Sequence, residues 1–350
     1  MTFSHGGDWT AFYQRRGTLP LDFSASISPL GLPRGVRTAV ERALDRADRY
    51  PDPFCRDLRW AIGGAWQVPP DWVLCGNGAG DLIERTVQAV RPKRALVTAP
   101  AFSEYACALE RVGCRVDVHL LRRENGFRLT EAILKDITAE TDLVFLCQPN
   151  NPTGVADPRE LLLEILARCD DCGALLVADE CFNGLLSDPE AHTLRPWLEG
   201  RPLLILNAFT KLYALPSLRL GFALSADRTL LGRMEESGPP WPVSGPAQAA
   251  GIAALADEAY PQRLRALLDR ERPLLRSGLS ERGAEHLSGE ANFLLFYHED
   301  RALADKLEEI GILLRRCEGF LGLSPGWYRT AVRTGEENRR LLDAVRQVTK

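Results

Sequence analysis

Leu143-Val144-Phe145-Leu146-Cys147-Gln148-Pro149-Asn150-Asn151-Pro152-Thr153-Gly154 is the stretch from which the rest of the chain can be read. Five apolar residues in a row are too few for an ordinary helix and suit a strand buried on both faces. Two prolines and a glycine then stop the strand in a rigid turn, which holds a side-chain amide at its carboxyl end. Working outward, short apolar runs of the same kind recur at 73–75, 95–97 and 116–118 before it, and at 174–178, 203–206 and 220–224 after it. Amphipathic helical patterns, 81–90 and 159–168 among them, lie between several of these runs. Such alternation predicts an α/β fold with a mostly parallel central sheet and helices on both faces. Ligands of such sheets bind beyond the carboxyl ends of the strands.

The breaker Gly238-Pro239-Pro240-Trp241-Pro242 marks a domain edge. Beyond it the patterning predicts a helix over 260–279 interrupted near Pro273, a strand at 293–297, a helix at 302–310, strands at 312–314 and 328–332, and a terminal helix at 336–348. We therefore expect an N-terminal segment (1–40) packing with a smaller α+β C-terminal domain (243–350), and a large domain over 41–242. A chain of 350 residues, 45% hydrophobic, can bury cores of that size. With a net charge of -4 and no basic block, no nucleic-acid partner is expected. No apolar run approaches the roughly 18 residues of a membrane helix, so no membrane partner is expected either. Met1–Gly7 lacks the pattern of a secretory signal. Nine scattered cysteines suit reduced thiols in a cytoplasm. The one close pair, Cys169-Asp170-Asp171-Cys172, has no second pair to complete four zinc ligands, and no metal is expected.

Three loops carry chemistry-bearing residues. Gly76-Asn77-Gly78-Ala79-Gly80 opens a helix after a strand, where backbone N–H groups and the helix dipole favour phosphate; a plain tight turn reads equally well. Asp179 ends the run 174–178, where a buried carboxylate is costly without a cation; a protonated pyridine nitrogen or a structural arginine would each serve. Of the 43 Lys and Arg residues only five are lysine, and only Lys211 closely follows a strand-like apolar run. A lysine in a partly apolar pocket loses basicity and can form a Schiff base, and Arg219, eight residues on, can take a phosphate through two N–H groups.

Taken together, Asn150-Asn151-Pro152-Thr153-Gly154, Asp179-Glu180 and Thr210-Lys211 through Arg219-Leu220-Gly221 resemble the class I/II aminotransferases of pyridoxal-phosphate (PLP) fold type I. The resemblance implies PLP as cofactor and Lys211 as the lysine that carries it. It implies Asp179 at the pyridine nitrogen, Asn151 at the ring oxygen O3′ and Phe102 stacked on the ring. Ala79, Gly80, Thr210 and Arg219 would hold the phosphate, and Tyr50 would reach the phosphate of a neighbouring subunit in a homodimer. Further motifs, His5-Gly6-Gly7, Asp22-Phe23-Ser24-Ala25, Tyr50-Pro51-Asp52, Phe102-Ser103-Glu104-Tyr105, Leu212-Tyr213-Ala214-Leu215-Pro216 and Ala291-Asn292-Phe293-Leu294-Leu295, narrow the likeness to the threonine-phosphate decarboxylases of cobalamin synthesis. That branch decarboxylates O-phospho-L-threonine, and its substrate ligands map to His5, Gly6, Ser26, Asn151, Arg315 and Arg329.

The sequence departs from the family pattern at Ser26 and Ser28, where Asn is usual, at Ser217, where Gly is usual, and at Cys181, Asn183 and Gly184. Ser26 offers one hydroxyl in place of an amide. Phe182 stands where aminotransferases of this family commonly have a Tyr that bonds O3′, and the decarboxylase pattern also has Phe. An aminotransferase of the histidinol-phosphate type, or a decarboxylase of phosphoserine, stands as the alternative.

Overall fold

All seven apolar runs of the large domain pair into one sheet. Its order is Val73–Gly76, Gly221–Leu224, Leu203–Ala208, Leu175–Asp179, Leu143–Cys147, Arg94–Ala99, Arg115–Leu120. Only Gly221–Leu224 runs against its neighbours; the other pairings are parallel. This is a computed structural model, and it describes residues 5–349; Met1–Ser4, at the head of the N-terminal segment, and Lys350 lie outside them.

Period-2 alternation explains why the central strands are apolar throughout. Val144, Leu146, Leu176, Ala178, Leu203 and Ile205 face one core, which continues into the small domain. Leu143, Phe145, Cys147, Val177, Leu204 and Leu206 face the second core, with Leu82, Tyr105, Leu109 and Met234. Each fully buried Leu or Phe in these layers contributes roughly 1.5–3 kcal/mol. Asp179 continues the Leu175–Val177 alternation, so its side chain belongs to the second face, the one that holds Tyr105.

The small domain is built on an antiparallel sheet ordered Arg315–Arg316, Trp327–Ala331, Phe293–Tyr297, Glu285–Ser288. From the N-terminal segment, Leu21–Asp22 pairs in parallel with Ile312–Leu313. The helix Gly245–Ala256 packs on the helices Val36–Leu44 and Arg56–Trp66. Among the described residues no helix is long and apolar enough to cross a membrane.

Three local expectations are corrected. The helix Ala259–Ser280 runs through Pro273 without a break, because Pro273 faces solvent, where water can serve the carbonyl it leaves unpaired. The expected strand 312–314 is two short strands, Ile312–Leu313 and Arg315–Arg316, which join different sheets on either side of buried Leu314. The helix expected to end at Arg168 continues as Arg159–Cys172, so Cys169 and Cys172 form its last turn, closed by Gly173 in the left-handed conformation.

Candidate active site

The strand ends at one edge of the large sheet bring together residues far apart in sequence. Asp179, the last residue of its strand, is 5% exposed. Its Oδ2 accepts a 2.6 Å hydrogen bond from the Tyr105 hydroxyl, and its Oδ1 accepts the Cys181 N–H at 3.0 Å. The partners within the chain are thus neutral donors rather than the arginine of the alternative reading. Burial, then the nearby Asp179 charge, push the Tyr105 hydroxyl well above its usual pKa, so it remains a proton donor.

Lys211 lies in the short helix Phe209–Leu212, with Thr210, directly after the strand Leu203–Ala208. Burial first, then the Arg329 guanidinium, lower its pKa to about 8. Its Nζ stands 5.9 Å from the centre of the buried Phe182 ring. The Lys211 carbonyl accepts the Ser28 N–H at 3.1 Å, and Ser28 Oγ bonds the Tyr260 hydroxyl at 2.7 Å, which ties the N-terminal segment to the lysine's helix.

The helix Ala79–Val90 begins after Gly78, at φ 83, with no side-chain cap on its first N–H groups. A Cβ on Gly78 would lie 2.7 Å from a terminal nitrogen of Arg219, so only glycine lets that guanidinium approach the helix start. Arg219 itself holds φ 53, a conformation few non-glycine residues adopt. The turn is braced by Asp81, which accepts the Asn77 N–H at 2.9 Å and pairs with buried Arg85.

On the small-sheet side, Arg329 lies in Trp327–Ala331, directly opposite Arg315 in the register. Arg329 is buried, and burial lowers its pKa to about 10, with Arg315 adding to the effect. It donates to Asn151 Oδ1 and, at 3.0 Å, to the Ser24 carbonyl. Asn151 thus turns its oxygen to Arg329, which leaves its Nδ2 as the side-chain donor for an acceptor such as a ring oxygen. Arg315 is half-buried, its guanidinium 5.6 Å from the centre of the Phe320 ring.

At the N-terminal segment, His5 Nε2 is 3.0 Å from Glu104 Oε1 and its ring is 5.8 Å from Phe102. Gly6 abuts Ser24 so closely that a Cβ would meet the Ser24 carbonyl oxygen at 2.2 Å. Ser26 is fully enclosed, and its Oγ has no hydrogen-bond partner among the described residues. Tyr50 stands apart, 80% exposed and stacked on Trp241 at 4.4 Å. Sequence reasoning missed two features: the bond from Tyr105 to Asp179 and the reciprocal Gln148–Asp157 pair (2.8 and 3.0 Å) that closes the base of the Asn151 loop. Tyr105 lies within a quoted motif, but nothing in its spacing tells which way its hydroxyl points.

A model of aminotransferase class I and II matches residues 22–345. The chain belongs to that family. Like its members it uses pyridoxal phosphate, and the residues fit that group: a buried carboxylate for the ring nitrogen, an amine of lowered basicity, and an arginine beside an uncapped helix start for the phosphate. Within the family the chain is 37% identical to threonine-phosphate decarboxylase of Salmonella typhimurium, over 99% of this chain and 96% of that protein. It is 32% identical to histidinol-phosphate aminotransferase 1 of Cupriavidus pinatubonensis, over 92% and 86%. The crystal structure of histidinol-phosphate aminotransferase from Clostridium acetobutylicum superposes with a TM-score of 0.88 at 25% identity, over 94% of this chain and 98% of that one.

Proposed function

We propose that the chain is a PLP-dependent lyase that releases CO2 from O-phospho-L-threonine and leaves (R)-1-aminopropan-2-yl phosphate, a step of cobalamin synthesis. The observation that carries this reading is the arginine pair. Arg315 and Arg329 oppose each other across two strands, and Arg329 makes no ion pair among the described residues. A phosphorylated amino acid brings two anions, carboxylate and phosphate, and the planar guanidinium bonds either through two N–H groups. Phe182 separates the reading from the aminotransferase sibling, since a buried ring without a hydroxyl beside Lys211 cannot donate to O3′. The Salmonella decarboxylase, 37% identical, supports the reading.

In this reading each residue has one task. Bound at the strand ends, the cofactor supplies a sink for the electron pair left at Cα when the carboxylate departs. Lys211 carries it, its lowered pKa leaving the amine available near neutral pH. Asp179 holds a proton at the ring nitrogen, Asn151 donates to O3′, and Phe102 covers the ring face. Ala79, Gly80, Thr210 and Arg219 bind the cofactor phosphate. His5, Gly6 and Ser26 close over the substrate from the N-terminal segment. Tyr50, exposed on the single chain, serves the neighbouring subunit of a homodimer.

The test is to incubate purified holoenzyme with O-phospho-L-threonine, O-phospho-L-serine and free threonine, without a keto-acid acceptor. CO2 release should be fastest from phosphothreonine and weakest from free threonine. Transfer of the amino group of histidinol phosphate to 2-oxoglutarate, with no CO2 from any phospho-amino acid, would overturn the reading in favour of the sibling.

A further inference from the structure

Two of the donors to the Asp179 carboxylate differ in kind. Cys181 N–H is main chain and is fixed by the fold. The Tyr105 hydroxyl comes from the start of the helix Glu104–Arg111, 74 residues away, and reaches Oδ2 at 2.6 Å. Tyr105 is 1% exposed, and its ring is clamped: it stacks on Phe145 at 4.8 Å and 10° and meets Phe102 edge-on at 5.6 Å and 80°. A packing residue at this position would need only the ring. The hydroxyl is aimed at one oxygen of one buried carboxylate.

Burying a carboxylate is costly unless hydrogen bonds compensate it, and bonds to charged groups are the stronger class. The other titratable groups around Asp179 give little help. The thiols of Cys147 and Cys181 are both pushed up by burial and by Asp179 itself, so they remain neutral. Lys211 faces Cys181 and loses basicity through burial. Among the described residues Tyr105 therefore supplies the strong side-chain donor to Asp179, beside the weak Cys181 thiol.

The geometry points to Tyr105 as a positioning residue that donates to Asp179 and holds its carboxylate in place, and through it supports the proton on the ring nitrogen of the cofactor. This inference rests on the proposed placement of Asp179 at that nitrogen, and it does not depend on which phospho-amino acid is consumed. A ring nitrogen that loses its proton is a weaker electron sink, so the loss of the hydroxyl should appear in turnover more than in substrate binding.

The test uses holoenzyme loaded with PLP labelled with nitrogen-15 in the ring, read by solid-state NMR in the wild type, Tyr105→Phe and Asp179→Asn. Tyr105→Phe should move the ring-nitrogen signal toward the unprotonated position. It should also lower kcat by about tenfold, the equivalent of one charged hydrogen bond, with KM changed less than about twofold. Replacing Tyr105 by 3-fluorotyrosine keeps the ring and makes the hydroxyl a stronger donor, so it should move the signal the opposite way. With 5-deazapyridoxal phosphate, which lacks the ring nitrogen, wild type and Tyr105→Phe should turn over at the same residual rate. If Asp179→Asn shifts the signal and neither Tyr105 replacement does, Tyr105 only packs and the inference fails. If Asp179→Asn also leaves the signal unmoved, the placement of Asp179 is wrong, and the role of Tyr105 falls with it.

Discussion

At the carboxyl edge of the large sheet, both oxygens of Asp179 are hydrogen-bonded within the chain. On the N-terminal segment and the small-sheet side, Ser26 Oγ, Asn292 Oδ1, Arg329 Nε and Arg333 Nε are buried with no partner among the described residues. Two further unpaired atoms lie on the large-sheet side, Asn150 Oδ1 in the loop after Leu143–Cys147 and Asn183 Oδ1 at the start of the short helix Asn183–Leu185. A buried polar atom left unpaired costs about 1–3 kcal/mol. The difference teaches that folding alone pairs both oxygens of Asp179 on the cofactor floor, whereas the proposed substrate wall, like the uncapped start of the helix Ala79–Val90, keeps bonding capacity to offer a ligand. In the proposed reading Asp179 serves a cofactor that stays through turnover, whereas the wall admits and releases a substrate each time.

The comparison breaks most sharply at the floor. Lys211→Ala should lower turnover by several orders of magnitude, and borohydride should fix the cofactor onto Lys211 of the wild type and label no other lysine; labelling at Lys93, Lys135 or Lys306 would refute the assignment. Because the Lys211 amine is held near about 8, below an ordinary lysine, its unprotonated form grows as pH rises through that value. Capture of PLP by the apoprotein should therefore accelerate with rising pH, with a midpoint near about 8, and a flat profile in stopped-flow absorbance would contradict it. Asp179→Ala should slow turnover by about a hundredfold or more while PLP stays bound through Lys211 and the phosphate contacts, as absorbance after gel filtration would show. Near-normal turnover would remove Asp179 from the mechanism.

On the wall the expected effects are smaller and fall on binding. Arg329→Ala should raise KM more than about tenfold, since each charged hydrogen bond contributes about 1.5–3 kcal/mol. An unchanged KM in steady-state assays would move substrate recognition elsewhere. Ser26→Ala gives the smallest effect and sharpens the contrast most. Removing a hydroxyl that has no partner should leave the melting temperature equal or slightly higher, while KM rises by only a few-fold if the hydroxyl bonds substrate. A clear loss of stability would mean that Ser26 Oγ is paired in solution, as the oxygens of Asp179 are.

Much of this was legible before any coordinates. The seven runs were readable because strands buried on both faces need continuous apolar sequence, and each occurs where expected. The short strands Leu21–Asp22 and Glu285–Ser288 were not, since elements of two and four residues carry too little periodicity. Pro273 misled because a proline breaks a helix in the abstract, and only its exposure shows that this one is tolerated. In the site, Asn151, Asp179 and Lys211 stood out because each ends or follows an apolar run, and a parallel sheet gathers such strand ends at one edge; Arg219 precedes its run and reaches the same edge because the strand Gly221–Leu224 is antiparallel.

The places of the strands along the chain and the edge where the chemistry gathers were thus legible in local patterning, because side-chain periodicity and turn residues are properties of short stretches of chain, whereas the order of the strands within the sheet was not. What the tertiary structure alone decided is how side chains meet across long separations: Tyr105 on Asp179, 74 residues apart, and Arg329 on Asn151, 178 apart. The full enclosure of Ser26, and the exposure of Tyr50 on its stack with Trp241, belong to the same class. Such contacts depend on sheet register and on which face of each element is turned inward, and no local stretch of sequence contains both partners.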